Sequence, residues 1–426
     1  MTGILTLAFV ILSKVKGEKR DKLKALFRGQ RQTLNAEHKA ILEANRGAVW
    51  IHAASVGEFE QARPLIERIK KDGKKKVVVT FFSPSGYEAR KNYELADGVF
   101  YLPFATRRKA KKFIDTLQPC MAIFVKYEFW PAYLKALKKR GIPTYCISAI
   151  FRPTQRFFHW YGAGARRVLK CFTHIYVQDE ASRRLLAEHG LHECSVAGDT
   201  RFDRVWEIVE GQKSQERSSQ SDLTPIAQFV ENAGHVLVAG STWPADEELL
   251  KKYTESTEFQ EQHTGLANKL ILVPHETDEE HMRFIFNLFQ GRLVWYSAIS
   301  AMPSNMSRLN ILQNAQVLVI DTIGLLSSIY RFGQVAYIGG GFGVGIHNTI
   351  EAAAYGVPVL FGPNYHHFRE AQGLIDAGAA RSISNYRELE AALETAFNDY
   401  ETSGANSAKY VQSELGATDK IFKELF

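Results

Sequence analysis

Short apolar runs alternate with amphipathic segments along this chain of 426 residues, and that alternation limits its possible folds most strongly. In the first half, runs such as Val49–His52 and Met121–Val125 are each followed by apolar residues at helical spacing. Strands this apolar that alternate with helices indicate a parallel sheet covered on both faces. The sequence therefore predicts a doubly wound, Rossmann-like α/β architecture.

A second series of the same kind begins at Val236–Ala239. A chain of this length is too long for one ordinary core, and the polar, aperiodic stretch at 206–226 indicates a linker. We expect two Rossmann-like domains facing a central cleft, because ligands bind beyond the carboxyl ends of parallel strands. The expected boundaries are 1–31 for an N-terminal segment, 32–205, the linker 206–226, and 227–426, whose last helix could pack back on the first domain.

The net charge of +7 is concentrated at one end of the sequence. Residues 1–31 hold eight basic and two acidic residues, a net charge of +6, which leaves +1 for the other 395 residues. A nucleic-acid-binding surface would need basic residues clustered on a folded domain. We therefore expect no nucleic-acid partner.

The same end carries the apolar run Ile4–Leu12. This run is too short to span a bilayer, which takes about 20 apolar residues, and no small-residue cleavage site follows it. An apolar stretch joined to a basic one suits attachment to an anionic membrane surface, at roughly 1 kcal/mol for each Lys or Arg. We expect residues 1–31 to form a membrane-associating helix, although an ordinary first helix with a solvated basic face has the same composition.

Cysteine and histidine positions indicate no metal centre. The four cysteines lie far apart, and the histidines of the second half have neither a metal-binding spacing nor cysteine partners. We predict no metal, no cofactor and no disulfide framework, with the cysteines as small buried residues in a reducing compartment.

Five glycines occur within Gly339–Gly345, between an apolar strand and the helical segment Ile350–Tyr355. Glycine permits positive φ and a close approach of the backbone to a ligand. The N–H groups and dipole of the following helix suit a phosphate, and Glu351 would lie where a carboxylate can accept hydrogen bonds from a sugar diol. A tight turn with Asn348 as helix cap explains the same residues.

Three charged side chains that follow strands of the first half are candidates for catalysis. Glu58 could take a proton from an attacking hydroxyl, although the helix dipole favours an acidic residue in any first turn. Glu128 lies among aromatic residues that would form either a sugar platform or a corner of the core. Arg201 could meet an anion or could pair at the surface with Asp199 or Asp203.

Polar or glycine-bearing residues also follow strands of the second half. Ser241 and Thr242 place hydroxyl and N–H groups at a helix start, as a phosphate site needs and as an N-cap would. Two other strand ends of this kind are Pro274–Glu276 and Asp321–Gly324.

Taken in order, these stretches resemble one family, the 3-deoxy-D-manno-octulosonic acid (Kdo) transferases, which build the inner core of lipopolysaccharide. Each stretch alone is unspecific, but the ordered set is specific and extends over residues 1 to 380. The matching stretches are His52–Glu58, Glu128–Pro131, Gly198–Asp203, Gly240–Thr242, Asp321–Gly324 and Gly345–Glu351.

The resemblance implies a GT-B fold with an acceptor domain, a donor domain and an N-terminal segment on the cytoplasmic face of the inner membrane. It implies an inverting, metal-independent transfer of Kdo from CMP-Kdo to a lipid A precursor. By motif, Glu58 resembles the general base, and Glu128 and Arg201 resemble residues that support the transition state. The candidates for donor binding are Ser241, Thr242, Pro274, His275, Ile323, Gly324, Leu325, Gly345, Asn348, Thr349, Ile350 and Glu351.

The sequence departs from the family at three of these positions. The family usually has arginine at the place of His275, a carboxylate at that of Leu325 and lysine at that of Arg201. Two other functions are compatible with the pattern. One is a GT-B transferase or epimerase that uses a nucleotide diphosphate sugar. The other is a non-catalytic protein that binds glycolipid or nucleotide at a membrane surface, against which Glu58 in its motif argues.

Overall fold

The computed structural model describes residues 18–214, 223–260 and 266–426. The chain divides into unit 1, made of Met1–Arg204 and Glu414–Phe426, and unit 2, made of Val205–Ser413. Each unit contains a seven-stranded sheet in which all neighbouring strands pair in parallel. The predicted fold class, two Rossmann-like α/β units, is confirmed.

The sheet of unit 1 has the strand order β3-β2-β1-β4-β5-β6-β7. Because β1 pairs with both β2 and β4, the sheet grows outward in opposite directions from the pair β1–β4, which is a topological switch point. The strands are β1 (Val49–Ala53), β2 (Val77–Phe81), β3 (Gly98–Tyr101), β4 (Met121–Val125), β5 (Thr144–Ala149), β6 (His174–Val177) and β7 (Cys194–Val196).

Helices follow these strands and cover both faces of the sheet. They are α1 (Glu18–Gln32), α2 (Ala36–Ala44), α3 (Val56–Asp72), α4 (Pro84–Arg90), α5 (Arg107–Leu117), α6 (Pro131–Lys139), α7 (Ala163–Leu169) and α8 (Glu180–Glu188), with a 3₁₀ turn at Trp160–Gly162. Helix α9 (Thr200–Ser214) begins in unit 1, and its residues from Val205 belong to unit 2. Successive strand residues face opposite sides, so that Trp50 and Phe124 belong to one core and Ile51 and Ile123 to another.

Helix α3 shows how the sequence sets one of these elements. Ser55 caps its start by accepting a hydrogen bond from the N–H of Glu58, and Gly73 ends it with φ of 73°. Phe59, Ile66 and Ile69 lie on its buried face at helical spacing.

The sheet of unit 2 has the strand order β10-β11-β9-β8-β12-β13-β14, and its switch point lies between β8 and β12. The strands are β8 (Val236–Thr242), β9 (Lys269–Pro274), β10 (Leu293–Trp295), β11 (Val317–Val319), β12 (Val335–Ile338), β13 (Val359–Phe361) and β14 (Ala380–Ser382). The helices are α10 (Thr224–Val230), α11 (Pro244–Thr254), α12 (Thr257–Gln260), α13 (Glu279–Leu288), α14 (Tyr296–Ser300), α15 (Met306–Asn314), α16 (Leu326–Ile329), α17 (Ile350–Ala354), α18 (Arg369–Asp376), α19 (Tyr386–Asn398) and α20 (Tyr400–Ser413), with a 3₁₀ turn at Tyr330–Phe332.

The segment 206–226, expected as a linker, is partly helical. Helix α9 continues to Ser214, and α10 begins at Thr224. Val209 is 1% exposed, so this part of α9 buries an apolar residue despite its polar neighbours. The remaining residues, 215–222, lie outside the described part of the chain.

The last helix, α21 (Ala417–Leu425), belongs to unit 1. Asp203 accepts hydrogen bonds from the N–H groups of Gly416 and Thr418 at 2.7 Å each, which satisfies the start of the helix. Ile421 is fully buried in the core cluster that also contains the apolar face of α3.

Residues 1–17, including the run Ile4–Leu12, lie outside the described residues, while the rest of the expected membrane segment, from Glu18, begins helix α1. None of the described helices is both long enough and apolar enough to cross a bilayer.

Candidate active site

Two of the predicted catalytic residues meet at the switch point of unit 1. Glu58 is in the first turn of α3, directly after β1, and Glu128 is in the loop after β4, the strand beside β1. Their carboxylates are close enough for the charge of Glu128 to act on Glu58. The carboxyl ends of these strands form the edge at which open α/β sheets bind ligands.

The carboxylate of Glu58 is partly buried and held by the backbone. Its Oε2 accepts a hydrogen bond from the N–H of Ala54 at 2.5 Å. Burial, followed by the negative charge of Glu128, raises the pKa of Glu58 to about 7, against the opposing effects of the Ala54 N–H and of Lys126. A carboxyl group with this pKa can gain and lose a proton near neutral pH, as general acid–base catalysis requires.

Glu128 is held by a network that the sequence did not predict. Its Oε2 accepts a hydrogen bond from Trp130 Nε1 at 2.5 Å and lies 3.1 Å from His52 Nε2. His52 is fully buried, and its Nδ1 lies 3.0 Å from the carbonyl oxygen of Thr80. A proton on Nδ1 satisfies that oxygen, and Nε2 on the other side of the ring faces both Glu128 and Trp130 Nε1, each at 3.1 Å. His52 belongs to the motif His52–Glu58, but the sequence did not predict that it would contact Thr80 and Glu128. Those contacts arise because β1 pairs with both β2 and β4.

The aromatic residues around Glu128 have separate roles. Phe129 packs against Phe151 and Phe157, with ring centroids 5.8 and 5.4 Å apart, and so forms part of the core. The Trp130 indole instead holds the Glu128 carboxylate. Of the two interpretations left open by the sequence, the core corner describes Phe129.

Arg201, the third predicted catalytic residue, pairs with a buried carboxylate. Its Nε donates to Asp199 Oδ2 at 2.8 Å, and Gln61 donates to Asp199 Oδ1 at 2.9 Å. Burial alone would raise the pKa of Asp199, but the Arg201 charge and these hydrogen bonds outweigh it and hold the pKa below its usual value. Burial raises the pKa of the Tyr127 hydroxyl and the charge of Arg201 opposes this, so Arg201 lies within electrostatic reach of the residue before Glu128.

All the candidates for donor binding lie along one edge of unit 2. The strands β11, β9, β8 and β12 are consecutive neighbours in its sheet. Their carboxyl ends lead into the stretches that carry Ile323–Leu325, Pro274–His275, Ser241–Thr242 and Gly345–Glu351, respectively. The parallel pairing of the strands is what brings these distant stretches to one edge.

The two hydroxyl side chains at the end of β8 differ in exposure to solvent. Thr242 is fully buried, and its Oγ1 donates to Glu247 Oε1 at 2.9 Å. Glu247 in turn lies 2.9 Å from His281. Ser241 is partly exposed and has an unusual φ of 54°. Thr242 is thus tied into the unit, whereas Ser241 lies at its surface.

The glycine-rich loop is a tight turn packed on its neighbours. The N–H groups of Gly343 and Gly345 both donate to the carbonyl of Gly340, at 3.0 Å. A Cβ on Gly341 would lie 2.5 Å from the backbone of Gly362. Asp246, which the sequence did not single out among first-turn acids, accepts a hydrogen bond from the N–H of Gly340 at 2.8 Å. Gly341 is therefore needed for the packing of the turn, and Gly340 and Gly345, with φ of 90° and 108°, for its backbone conformation.

Three aromatic rings stack beside this loop. The His275 ring lies 4.9 Å from Trp243 and 4.2 Å from His347, and Trp243 Nε1 donates to His347 Nε2 at 3.2 Å. Burial, and then the proximity of His275, lowers the pKa of His347 to about 4, and burial lowers the pKa of His275. Both imidazoles are therefore neutral at neutral pH and present a flat ring surface.

The end of the loop orients Glu351. Asn348 Nδ2 donates to Glu351 Oε1 at 2.9 Å, and Asn348 Oδ1 accepts the N–H of Ile350 at 3.1 Å. Helix α17 has only five residues, and Thr349 before it is fully buried. The Ile350 N–H group, which was expected to be available to a phosphate, therefore donates to the Asn348 side chain.

The remaining candidates differ in exposure. Ile323 is 91% exposed, while Leu325 is 6% exposed and Pro274 is buried at the end of β9. Gly324, between Ile323 and Leu325, has a φ of 97°, which turns the chain. Leu325 therefore packs into the unit and Ile323 does not.

The fold defines a GT-B-type protein. Solved structures similar to this chain include the UDP-GlcNAc 2-epimerase of Neisseria meningitidis, with a TM-score of 0.62, 15% identity, and coverage of 89% of this chain and 99% of that chain. The UDP-GlcNAc 2-epimerase of Methanocaldococcus jannaschii has a TM-score of 0.54, 15% identity, and coverage of 86% and 98%. At these identities the likeness shows the fold alone.

Sequence comparison shows the same resemblance, most directly over residues 27–204. Residues 27–204 match the family described as 3-Deoxy-D-manno-octulosonic-acid transferase (kdotransferase). The chain is 24% identical over 355 residues to the 3-deoxy-D-manno-octulosonic acid transferase of Aquifex aeolicus, covering 82% of this chain and 86% of that protein. It is 26% identical over 372 residues to the enzyme of that name from Haemophilus influenzae, covering 83% and 80%. The resemblance to the Kdo transferases is confirmed, and the comparisons support a glycosyltransferase of lipopolysaccharide biosynthesis.

Proposed function

We propose that this protein is an inverting glycosyltransferase that moves Kdo from CMP-Kdo to a lipid A precursor and needs neither a metal nor another cofactor. The observation that carries the proposal is Glu58. In a domain that matches the Kdo transferases, this carboxyl group lies at the switch point of the sheet, fixed by the Ala54 N–H and with its pKa raised to about 7.

In the proposed reaction, a hydroxyl of the acceptor attacks the anomeric carbon of Kdo and gives its proton to Glu58. The bond from that carbon to the phosphate oxygen breaks, and CMP leaves with the electron pair. Glu128, oriented by His52 and Trp130, and Arg201, oriented by Asp199, support the charges that develop.

The donor would bind along the carboxyl edge of the unit 2 sheet. Neutral His275 and His347 offer rings on which the cytosine base can stack. Glu351, oriented by Asn348, would accept hydrogen bonds from the ribose diol, and Ser241 and the glycine-rich loop would contact the phosphate. With histidine in place of the usual family arginine at position 275, this chain would hold the base through ring stacking.

A lipid acceptor implies a membrane location, and we place the protein on the cytoplasmic face of the inner membrane, attached through residues 1–31. The net charge of +6 in that segment supports attraction to anionic lipids. Co-sedimentation with anionic vesicles, with and without residues 1–31, tests this attachment, and equal binding of both proteins would contradict it.

The direct test is to incubate the protein with CMP-Kdo and a lipid A precursor and to determine the product by mass spectrometry. We expect an acceptor heavier by Kdo residues and free CMP. A thermal-shift comparison of CMP with UDP addresses the alternative function of an epimerase or a nucleotide-diphosphate-sugar transferase. Stabilisation by UDP but not by CMP, together with no product, would replace the proposal by that alternative.

A further inference from the structure

The net charge of +1 outside residues 1–31 conceals an uneven distribution. The 50 residues from 129 to 178 contain no Asp or Glu and nine basic residues, namely Lys135, Lys138, Lys139, Arg140, Arg152, Arg156, Arg166, Arg167 and Lys170. This stretch includes helices α6 and α7, which pack against each other. A second concentration of positive charge thus lies within unit 1.

Two aromatic side chains project from the middle of this stretch. Trp160 is 91% exposed and Tyr161 is 60% exposed, on the 3₁₀ turn Trp160–Gly162. We call Trp160 and Tyr161 the aromatic tip. Trp160 is the most exposed aromatic side chain in the described residues. Burying such rings is what normally stabilises a fold, so their exposure requires another explanation.

The aromatic tip is firmly supported from below. Phe157 is 6% exposed and packs on Phe151, while Arg166 donates to the carbonyl of Phe157 at 2.6 Å. A Cβ on Gly162 would lie 2.3 Å from the carbonyl oxygen of Arg156. The chain is therefore held tightly on both sides of the two exposed rings, and their exposure is a property of the fold.

The position of the tip relates it to the candidate active site. The segment starts at the carboxyl end of β5, at the same edge as Glu58 and Glu128, and its Phe151 stacks on Phe129 next to Glu128. Helix α1, which contains the described end of the basic N-terminal segment, reaches the same edge, since Phe27 lies 6.3 Å from Phe104 after β3. Two basic elements thus meet one edge of the unit 1 sheet.

We propose that the aromatic tip and the arginines that precede and follow it in the chain, Arg152, Arg156, Arg166 and Arg167, form a membrane-docking surface. This surface would insert Trp160 and Tyr161 into the interface of an anionic lipid bilayer. Trp and Tyr favour that interface, where an apolar ring and a polar group are both satisfied, and the surrounding Arg and Lys attract anionic headgroups. Acidic residues from other elements reduce the charge of the whole stretch. Asp179, for example, acts together with Arg152 on the Tyr127 hydroxyl. Asp115 pairs with Arg140, and Glu193 lines a pocket with Lys138 and Lys170.

The choice of a lipid surface rests on the proposed function, because a lipid-borne acceptor would be delivered to the edge where Glu58 lies. Basic residues with exposed aromatics also suit single-stranded nucleic acid, which makes that ligand the competing outcome of the test. The docking surface and residues 1–31 are different parts of the sequence. We therefore expect their contributions to membrane binding to be additive.

The test uses the full chain and vesicles of phosphatidylethanolamine and phosphatidylglycerol whose acyl chains carry bromine, which quenches nearby tryptophan. The difference between the fluorescence of the wild type and of Trp160→Phe isolates the Trp160 signal among the six tryptophans. We expect this difference signal to be quenched by the brominated vesicles, but far less by brominated phosphatidylcholine vesicles. An unquenched difference signal, or quenching by single-stranded RNA in place of vesicles, would overturn the proposal.

Partitioning measurements test the same surface without relying on fluorescence. The double variant Trp160→Ser/Tyr161→Ser should bind anionic vesicles about tenfold more weakly, and Arg156→Gln and Arg167→Gln about fivefold more weakly each. Matched controls in unit 2 are Phe286→Ser, at a side chain 49% exposed, and Arg283→Gln, which should leave vesicle binding unchanged. Wild-type affinity of the double variant would refute the docking surface.

Failure of the two proposals can be told apart. Vesicle binding needs no catalysis. If the protein does not transfer Kdo but binds vesicles as expected, the proposed function is contradicted and the docking surface is not. Conversely, the Trp160→Ser/Tyr161→Ser variant should transfer Kdo normally to an acceptor dispersed in detergent, because it leaves Glu58 and its partners in place.

Discussion

The two units share one sheet architecture but place different chemistry at the switch point. In unit 1 the strands end in charged side chains, with Glu58 beside Glu128 and Arg201 on Asp199. In unit 2 the corresponding edge carries glycines and two neutral imidazoles, and its buried Asp246 binds the loop itself. One fold thus supports an edge with paired carboxylates in unit 1 and an edge lined by glycines and neutral imidazole rings in unit 2.

This difference shows that the position of a site and its chemistry have separate origins. Parallel pairing brings the strand ends together in both units. The chemistry comes from the segment after each strand, namely a capped helix with a carboxylate after β1 and a glycine turn after β12. Single substitutions in each unit can test whether catalysis and donor binding divide between the units in this way.

The largest effect is expected for Glu58→Gln. Removing the general base should lower kcat about 10²-fold or more, while CMP affinity, a property assigned to unit 2, should persist. Steady-state kinetics and calorimetry with CMP measure both. The control is Glu37→Gln, which changes an exposed first-turn acid of α2 and should leave turnover unchanged. Near-normal turnover of Glu58→Gln would show that the proton goes elsewhere.

Glu351→Ala should affect binding first. Loss of a charged partner for the ribose diol should weaken CMP binding by about 1.5–3 kcal/mol. The pKa of Glu58, read from the pH–rate profile at saturating donor, should stay near its wild-type value because the charges that shift it are those of Glu128 and Lys126. Calorimetry that finds unchanged CMP affinity would remove Glu351 from the donor site.

Gly341→Ala should destabilise unit 2 by roughly 1–3 kcal/mol, because the added Cβ would lie 2.5 Å from the backbone of Gly362. The same loop provides a matched control, since a Cβ on Gly343 would have no heavy atom within 4 Å. Thermal unfolding should therefore separate Gly341→Ala from Gly343→Ala. Equal melting temperatures of the two variants would mean that the close approach of Gly341 to Gly362 does not contribute to stability.

The pH dependence of stability should have opposite signs in the two units. The pKa of Glu58 rises on folding from 4.5 to about 7, so its neutral form favours the folded state and stability falls as pH rises through that window. Glu58→Gln should therefore stabilise the protein at pH 8 by roughly 3 kcal/mol relative to its effect at pH 4.

His347 should act in the other direction. Its pKa falls on folding from 6.5 to about 4, so stability is lost as pH falls through that window, and His347→Gln should reduce the loss. Thermal unfolding of both variants between pH 4 and 8 measures the two slopes. Slopes of the same sign would contradict the contrast between the units.

The sequence predicted most of the fold because the relevant signals are local. The apolar run Val335–Ile338 coincides with β12, and Val49–His52 is one residue shorter than β1. Strand and helix periodicity, glycine turns and capping residues are all readable over a few positions. They also indicated that charged or glycine-bearing stretches would follow the strands.

The parts that the sequence did not predict depend on pairing between distant residues. His52 meets Glu128 only because β1 lies between β2 and β4. In the sequence, Asp246 looks like any acidic residue in the first turn of a helix. Its hydrogen bond with the N–H of Gly340 is seen only in the folded unit. Charge summed over 395 residues also concealed the stretch around Trp160, since acidic residues elsewhere in the chain cancel its basic residues.

The placement of helix α21 has a consequence for the order of events during synthesis. Unit 1 contains residues on both sides of unit 2, and its core includes Ile421. The ribosome therefore releases every residue of unit 2 before it supplies the helix that completes unit 1. Until then the face of α3 against which α21 packs stays open to water and to other nascent chains. Unit 2 is continuous in the chain. It can therefore reach its final structure before α21, the last element of unit 1, has been synthesised.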